Sequence, residues 1–158
     1  MAVRLHLIAV GTRMPEWVST AYAGYAKRLR SGCRLELREI PAGRRSQSAD
    51  IVRVLRTEGE RCLAAVPADA RIIALERQGR AIATDQIADS MGRWLRDGRD
   101  VAFLVGGPEG LAPQCLHDAD EQWSLSALTL PHPLVRVLLA EQLYRAWSML
   151  NHLPYHRD

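Results

Sequence analysis

The last residues of the chain carry three chemistries in a row. Pro154-Tyr155-His156-Arg157 sets an aromatic ring, an imidazole that titrates near neutral pH and a guanidinium side by side. A ring can stack on a base, an imidazole can take a proton, and a guanidinium matches a phosphate or carbonyl pair, so the trio is a kit for holding one nucleotide. A second feature is Gly106-Gly107-Pro108-Glu109-Gly110, which follows the continuously apolar run Val101–Val105. Glycine adds no Cβ and lets the main chain approach a ligand closely, although the same string would also make an ordinary tight turn. A third is the stretch from Trp123 to Pro133, WSLSALTLPHP, which is apolar, small and ended by proline. Solvent loops are seldom built that way, so the segment is read as covered by a partner or wrapped around an apolar ligand. Within it His132 is expected to be a structural hydrogen-bonding group rather than a base. No GxGxxG opens a helix and no GxxxxGK[ST] occurs, which argues against a dinucleotide oxidoreductase and against triphosphate hydrolysis. Cys33, Cys62 and Cys115 lie far apart without metal spacing and are read as small buried side chains, with no metal expected.

These residues need a frame. Val3, Leu5, Leu7 and Ala9 alternate as a strand, and Pro15 opens a helical run through Trp17, Ala21, Tyr25 and Leu29. Leu35, Leu37 and Ile40 form a second strand ending at Pro41, after which Ser48 or Asp50 starts a helix through Ile51, Val54, Leu55, Cys62 and Leu63. A short strand from Arg71 to Leu75, a helix from Thr84 to Leu95 and the buried strand Val101–Val105 come next. A short helix from Pro113, a strand from Gln122 to Ala127, a final helix from about Leu134 to Met149 and a polar tail, Asn151 to Asp158, complete the order. Alternating strands and helices predict an α/β fold, a mostly parallel sheet with helices on both faces, as one domain spanning residues 1–158. Ligands of such sheets bind beyond the carboxyl ends of the strands, so Leu75, the Gly106 loop and the segment after Trp123 become the places to look. The final helix is apolar on nearly every side, which one small domain cannot cover, so part of it is expected to pack on a second subunit. Glu141 and Arg145 lie four apart in the order that favours an intrahelical ion pair.

Composition narrows the class. The 158 residues are 47% hydrophobic and 25% charged, average for a globular protein and unlike disordered or low-complexity chains. No apolar run reaches the length of a membrane span and the start lacks a secretory pattern, so a cytoplasmic protein without membrane association is expected. Lys27 is the lone lysine beside 20 arginines, and the charge is uneven: residues 1–61 hold 12 basic and 6 acidic side chains, while residues 62–158 hold 9 and 12. A polyanion would therefore be met mainly by the first half, with Arg44 and Arg45 among the candidates for phosphate contact.

Taken together, AVGTRMPEWV at the start, the IPAGRR loop with SADI after it, DGRDVAFLVGGPEGL, WSLSALTLPHPLVRVLLAEQLYRAWS and the terminal PYHR closely resemble the large-subunit ribosomal RNA methyltransferase H family, a branch of the SPOUT methyltransferases. The resemblance runs nearly end to end, and the Trp123–Ser148 stretch is its most specific part. Asn151-His152-Leu153 departs from the family's Asn-His-Pro, and no role is carried onto His152. The resemblance implies a SPOUT-type α/β fold with a C-terminal trefoil knot, a homodimer with sites at the subunit interface, and S-adenosylmethionine as cofactor. It also implies methylation of N3 of a pseudouridine in 23S rRNA within the assembled ribosome. By position, Leu75, Gly107 and the segment Leu125, Ser126, Ala127, Leu128, Thr129 and Leu130 match cofactor-binding segments, with Gly106 beside them. Tyr155, His156 and Arg157, with Arg145, match positions associated with the target nucleotide. His156 is then expected to accept the N3 proton or to order a water that does, with Arg145 or Arg157 stabilising the developing anion. The alternative is a ribosome-associated RNA-binding protein that keeps the fold without catalysis.

Overall fold

The computed structural model describes residues 2–46 and 50–157. Ser48 and Asp158, which fall within two of the sequence expectations, lie outside the described residues. Five strands form one fully parallel sheet: β1 (Val3–Val10), β2 (Cys33–Ile40), β3 (Arg71–Ala81), β4 (Val101–Val105) and β5 (Glu121–Ser124), in the order β2-β1-β4-β3-β5. The sheet carries α1 (Glu16–Ala26), α3 (Thr84–Asp97) and α5 (His132–Leu150) on one face and α2 (Ile51–Ala65) and α4 (Pro113–Asp118) on the other.

The residue pattern explains the layering. β4 is buried at every position because it lies in the middle of the sheet with helices above and below, as its unbroken apolar run requires. Odd residues of β1, such as Leu5 and Leu7, enter the larger core with Trp94, Phe103, Trp123 and Leu143. Its even residues Ile8 and Val10 enter the smaller one with Cys62, Leu111 and Cys115. Trp94 stacks on Trp123 at 5.9 Å between ring centres while Phe103 meets Trp94 edge-on at 5.8 Å, so three elements are locked by one aromatic cluster. All three cysteines are free and buried, and burial pushes the Cys33 thiol up to about 12.

Several element boundaries differ from expectation. β3 does not stop at Leu75 but continues to Ala81, because a shift in its pairing with β5 between Leu75 and Arg80 lets residues 76–79 bulge out before the ladder resumes. β5 ends at Ser124 instead of Ala127, since the Ser124 hydroxyl turns onto the Ser126 carbonyl at 3.0 Å and closes the strand. The first helix ends at Ala26, before Leu29. The start of α2 is clearer: Asp50 caps it, its carboxylate accepting the Arg53 N–H at 3.3 Å.

α5 begins at His132, earlier than expected, and its entry is fixed by a residue that looks surface-like in the sequence. Arg136 is 1% exposed and donates to the Gly11 carbonyl and the Glu39 carboxylate, both at 2.7 Å. One guanidinium thus ties the helix to the carboxyl ends of β1 and β2. Leu139, Leu143, Ala146 and Trp147 pack inward, whereas Leu134, Val137 and Leu138 stay half-exposed.

Candidate functional site

At the carboxyl ends of β3, β4 and β5 lies a cavity of about 860 Å3, within the range of small-molecule sites. Leu75, Gly106, Gly107, Leu125, Ser126, Leu128, Thr129 and Leu130 all line it, so the three segments selected from sequence converge on one space. Ala127 belongs to the same segment without forming part of the wall. The wall is mostly apolar and main chain. Gly106 is indispensable to its shape: a Cβ there would lie 2.3 Å from the Gly110 carbonyl carbon, as the loop doubles back with the Gly110 N–H on the Gly107 carbonyl at 3.0 Å.

Several wall residues were not legible in the sequence. Glu76 and Arg77 arrive through the β3 bulge, and Arg77 Nη1 donates to the Thr129 hydroxyl at 2.8 Å, tying one wall to the other. The 125–130 segment is further shaped by the Leu128 N–H on Ser126 Oγ at 2.9 Å. His132 closes the inner end. Its Nδ1 is buried and has no partner among the described residues, and burial, then the Arg136 and Arg45 charges, holds its pKa below the ordinary value. It therefore stands neutral at pH 7, able to offer one donor and one acceptor.

Arg45 departs from its expected role in phosphate contact. It donates to Glu58 at 2.7 and 3.1 Å and to Glu109 at 2.7 Å, while Glu58 also receives the Gly43 N–H at 2.7 Å. Glu58 is 3% exposed, so its charge needs a partner, and Arg45 is that partner. The guanidinium clamps the loop after β2 onto the glycine loop instead of facing solvent. Arg44 is exposed.

Residues that the resemblance associates with the target nucleotide form a second cluster. Arg145 donates to Glu141 Oε1 at 2.7 Å, lies 3.1 Å from His156 Nδ1 and places its guanidinium 4.8 Å from the Tyr155 ring centre. Tyr155 meets the Tyr144 ring edge-on at 4.7 Å, and burial, Glu141 and the Tyr25 hydroxyl raise its pKa. Arg157 is exposed. The structure thus gathers Arg145, Tyr155 and His156 but does not bring them to the cavity of the same chain, whose wall contains none of them. His132 at the cavity and Arg145 at the tail are separated along α5 by about 20 Å at 1.5 Å per residue.

Among the described residues no group of three or more His, Cys, Asp or Glu could hold a metal, and no helix is long and apolar enough to cross a membrane. A family model described as predicted SPOUT methyltransferase matches residues 3–156. The chain is 55% identical over 156 residues to a protein of Thioalkalivibrio sulfidiphilus named ribosomal RNA large subunit methyltransferase H, covering 99% of this chain and 100% of that one. Among solved structures it is similar to a probable methyltransferase of Bordetella pertussis, at a TM-score of 0.59 and 16% identity over 91% of this chain and 96% of the other. A probable methylase family protein of Haemophilus influenzae aligns at a TM-score of 0.57 and 15% identity over 99% of this chain and 70% of the other. At those identities the two structures speak for the fold alone.

Proposed function

The chain belongs to the SPOUT methyltransferase family, and from that premise we propose that it transfers a methyl group from S-adenosylmethionine to N3 of a pseudouridine in 23S rRNA of the large ribosomal subunit, acting on assembled ribosomes. The observation that carries this reading is the convergence of Leu75, the Gly106–Gly110 loop and residues 125–130 on one cavity. The cavity fits such a donor: an apolar wall for an aromatic base, main-chain groups for its polar edge, and a glycine loop whose close turn leaves no room for a Cβ at Gly106. When bound, the donor would supply a methyl carbon open to in-line attack, with the neutral thioether as leaving group.

The chain's own part is positioning and one proton. Residues 125–130 and the glycine loop would hold the donor; Tyr155 would stack on the target base. As the N3–methyl bond forms and the sulfur–methyl bond breaks, the imide proton passes to His156 or to a water it orders. Arg145 or Arg157 stabilises the charge on the flanking carbonyl oxygens. Since cavity and tail stand at opposite ends of α5, the working site is composite: the cavity of one protomer with Tyr155, His156 and Arg145 of a second. The half-exposed Leu134, Val137 and Leu138 and the 59% exposed Trp17 offer an apolar face for that homodimer. Passage of the C-terminal segment through a preceding loop, the trefoil knot of the family, is part of the same proposal. So are a cytoplasmic location and the exposed Arg44 as a phosphate contact.

A methyl group gained by 23S rRNA of unmodified ribosomes, read by fragment mass in the presence of the enzyme and the donor, tests the activity. His156→Gln is expected to lower turnover at least about tenfold with little change in rRNA binding. Unchanged turnover would remove His156 from proton transfer. No mass gain with intact donor binding would favour an RNA-binding protein without catalysis.

A further inference from the structure

At the amino-terminal ends of the strands, opposite the cavity, the chain leaves α1 and turns through residues 27–32 into β2. The turn is tight, with Ser31 at φ 43 and Gly32 at φ 90. Between it and the start of β1 lies a depression of about 440 Å3, bordered by Arg4, Arg30 and Arg34. Arg4 and Arg34 are direct register partners in the parallel ladder, and both are exposed. Like charges set opposite one another destabilise a sheet, and the next pair on that face, His6 and Glu36, is of the ordinary complementary kind. The N–H groups of Arg30, Ser31 and Gly32 have no hydrogen-bond acceptor among the described residues. None of Lys27, Arg28, Arg30 and Arg34 forms an ion pair with a described residue. Asp100 accepts the Arg4 N–H and contacts His6, each at 3.1 Å, and the Arg4 charge acts on it as well.

On the face of the sheet that carries α1 and α5, a further arginine stands beside the tail. The Arg28 guanidinium lies 5.5 Å from the ring centres of both Tyr25 and Tyr144, and Tyr144 touches Tyr155. Arg28 thus belongs with the tail cluster, whereas Arg4 and Arg34 lie on the sheet face that carries α2 and α4.

We propose that the pocket at the α1–β2 turn binds a phosphodiester of the rRNA backbone, with Arg30 and Arg34 as the charge clamp. The inference rests on the RNA-directed reading above and names where the strand is held. Two arginines set opposite one another repel, an anion between them relieves that repulsion, and guanidinium forks are a usual means of seating phosphate.

The test uses the full-length protein and unmodified ribosomes across a salt series. The double variant Arg30→Gln/Arg34→Gln should lose about tenfold in ribosome affinity, with the slope of log affinity against log salt falling by about one to two. Donor binding by calorimetry should be unchanged. The control Arg53→Gln/Arg56→Gln, on the exposed face of α2, should keep both affinity and slope. Arg34→Gln alone should melt at the same temperature as the wild type or higher. Full affinity and slope in the double variant, an equal loss in the α2 control, or a lower melting temperature in Arg34→Gln would overturn the proposal. A wild-type protein that binds no donor and leaves rRNA unmethylated would instead overturn the parent reading.

Discussion

The two ends of α5 are built by opposite strategies. At its amino end the cavity is walled by main chain, glycine and apolar side chains, and the nearby cations are spent internally: Arg136 on Glu39 and Gly11, Arg45 on Glu58 and Glu109, Arg77 on Thr129. At its carboxyl end the surface is made of side chains, with Arg28 over two tyrosines, Arg145 over a third and Arg157 exposed. One end is preorganised for shape, where a displaced atom is a clash. The other offers charge and rings, where a lost side chain is a lost contact.

The contrast predicts different failures. Gly106→Ala should do the most harm, because the new Cβ meets backbone that cannot swing aside. We expect a loss of about 3 kcal/mol of stability and at least tenfold weaker donor binding, read by denaturation and calorimetry; a stable variant with normal donor affinity would break the claim that the wall is shape-determined. Arg45→Met comes next, at about 3 kcal/mol or less, since Glu58 is left buried without its partner. Replacing both, Arg45→Met with Glu58→Leu, should recover much of that stability. Failure to recover would show that the clamp acts through more than charge.

The smallest effect is one of pH. The His132 pKa is depressed in the fold, chiefly by burial. The group therefore contributes stability that is present above its ordinary value of about 6.5 and is lost as pH falls through that value toward the folded one. His132→Gln should flatten the decline of stability on mild acidification, measured by denaturant melts at a series of pH values. An unaltered pH profile would mean that the imidazole is solvated and not part of the preorganised end.

What could be read from the chain follows from the same contrast. Periodicity gives the order of strands and helices, and the switch-point rule selects Leu75, the Gly106 loop and the segment after Trp123, because strand ends and glycine loops are local features. The β3 bulge is not local: residues 76–79 leave the ladder because of pairing with β5, more than 40 positions away. Arg45 reads as a surface cation because nothing nearby in sequence reveals that Glu58 is buried beneath it. Arg136 is one of several polar residues on a largely apolar helix, and only tertiary packing turns it inward. The distance between the tail and its own cavity is likewise a property of the folded helix, invisible in the motifs at either end.

The composite site is the central claim, and complementation addresses it most directly. Leu130→Trp would fill the cavity and leave the tail intact, while His156→Ala would disarm the tail and leave the cavity open; each alone should methylate rRNA poorly. Unfolded and refolded together in equal amounts, they should regain about a quarter of wild-type activity, since half the dimers are mixed and each holds one complete site. Recovery near that fraction is the predicted result. Mixed preparations that form dimers yet stay as inactive as their parents would contradict a site shared between two copies.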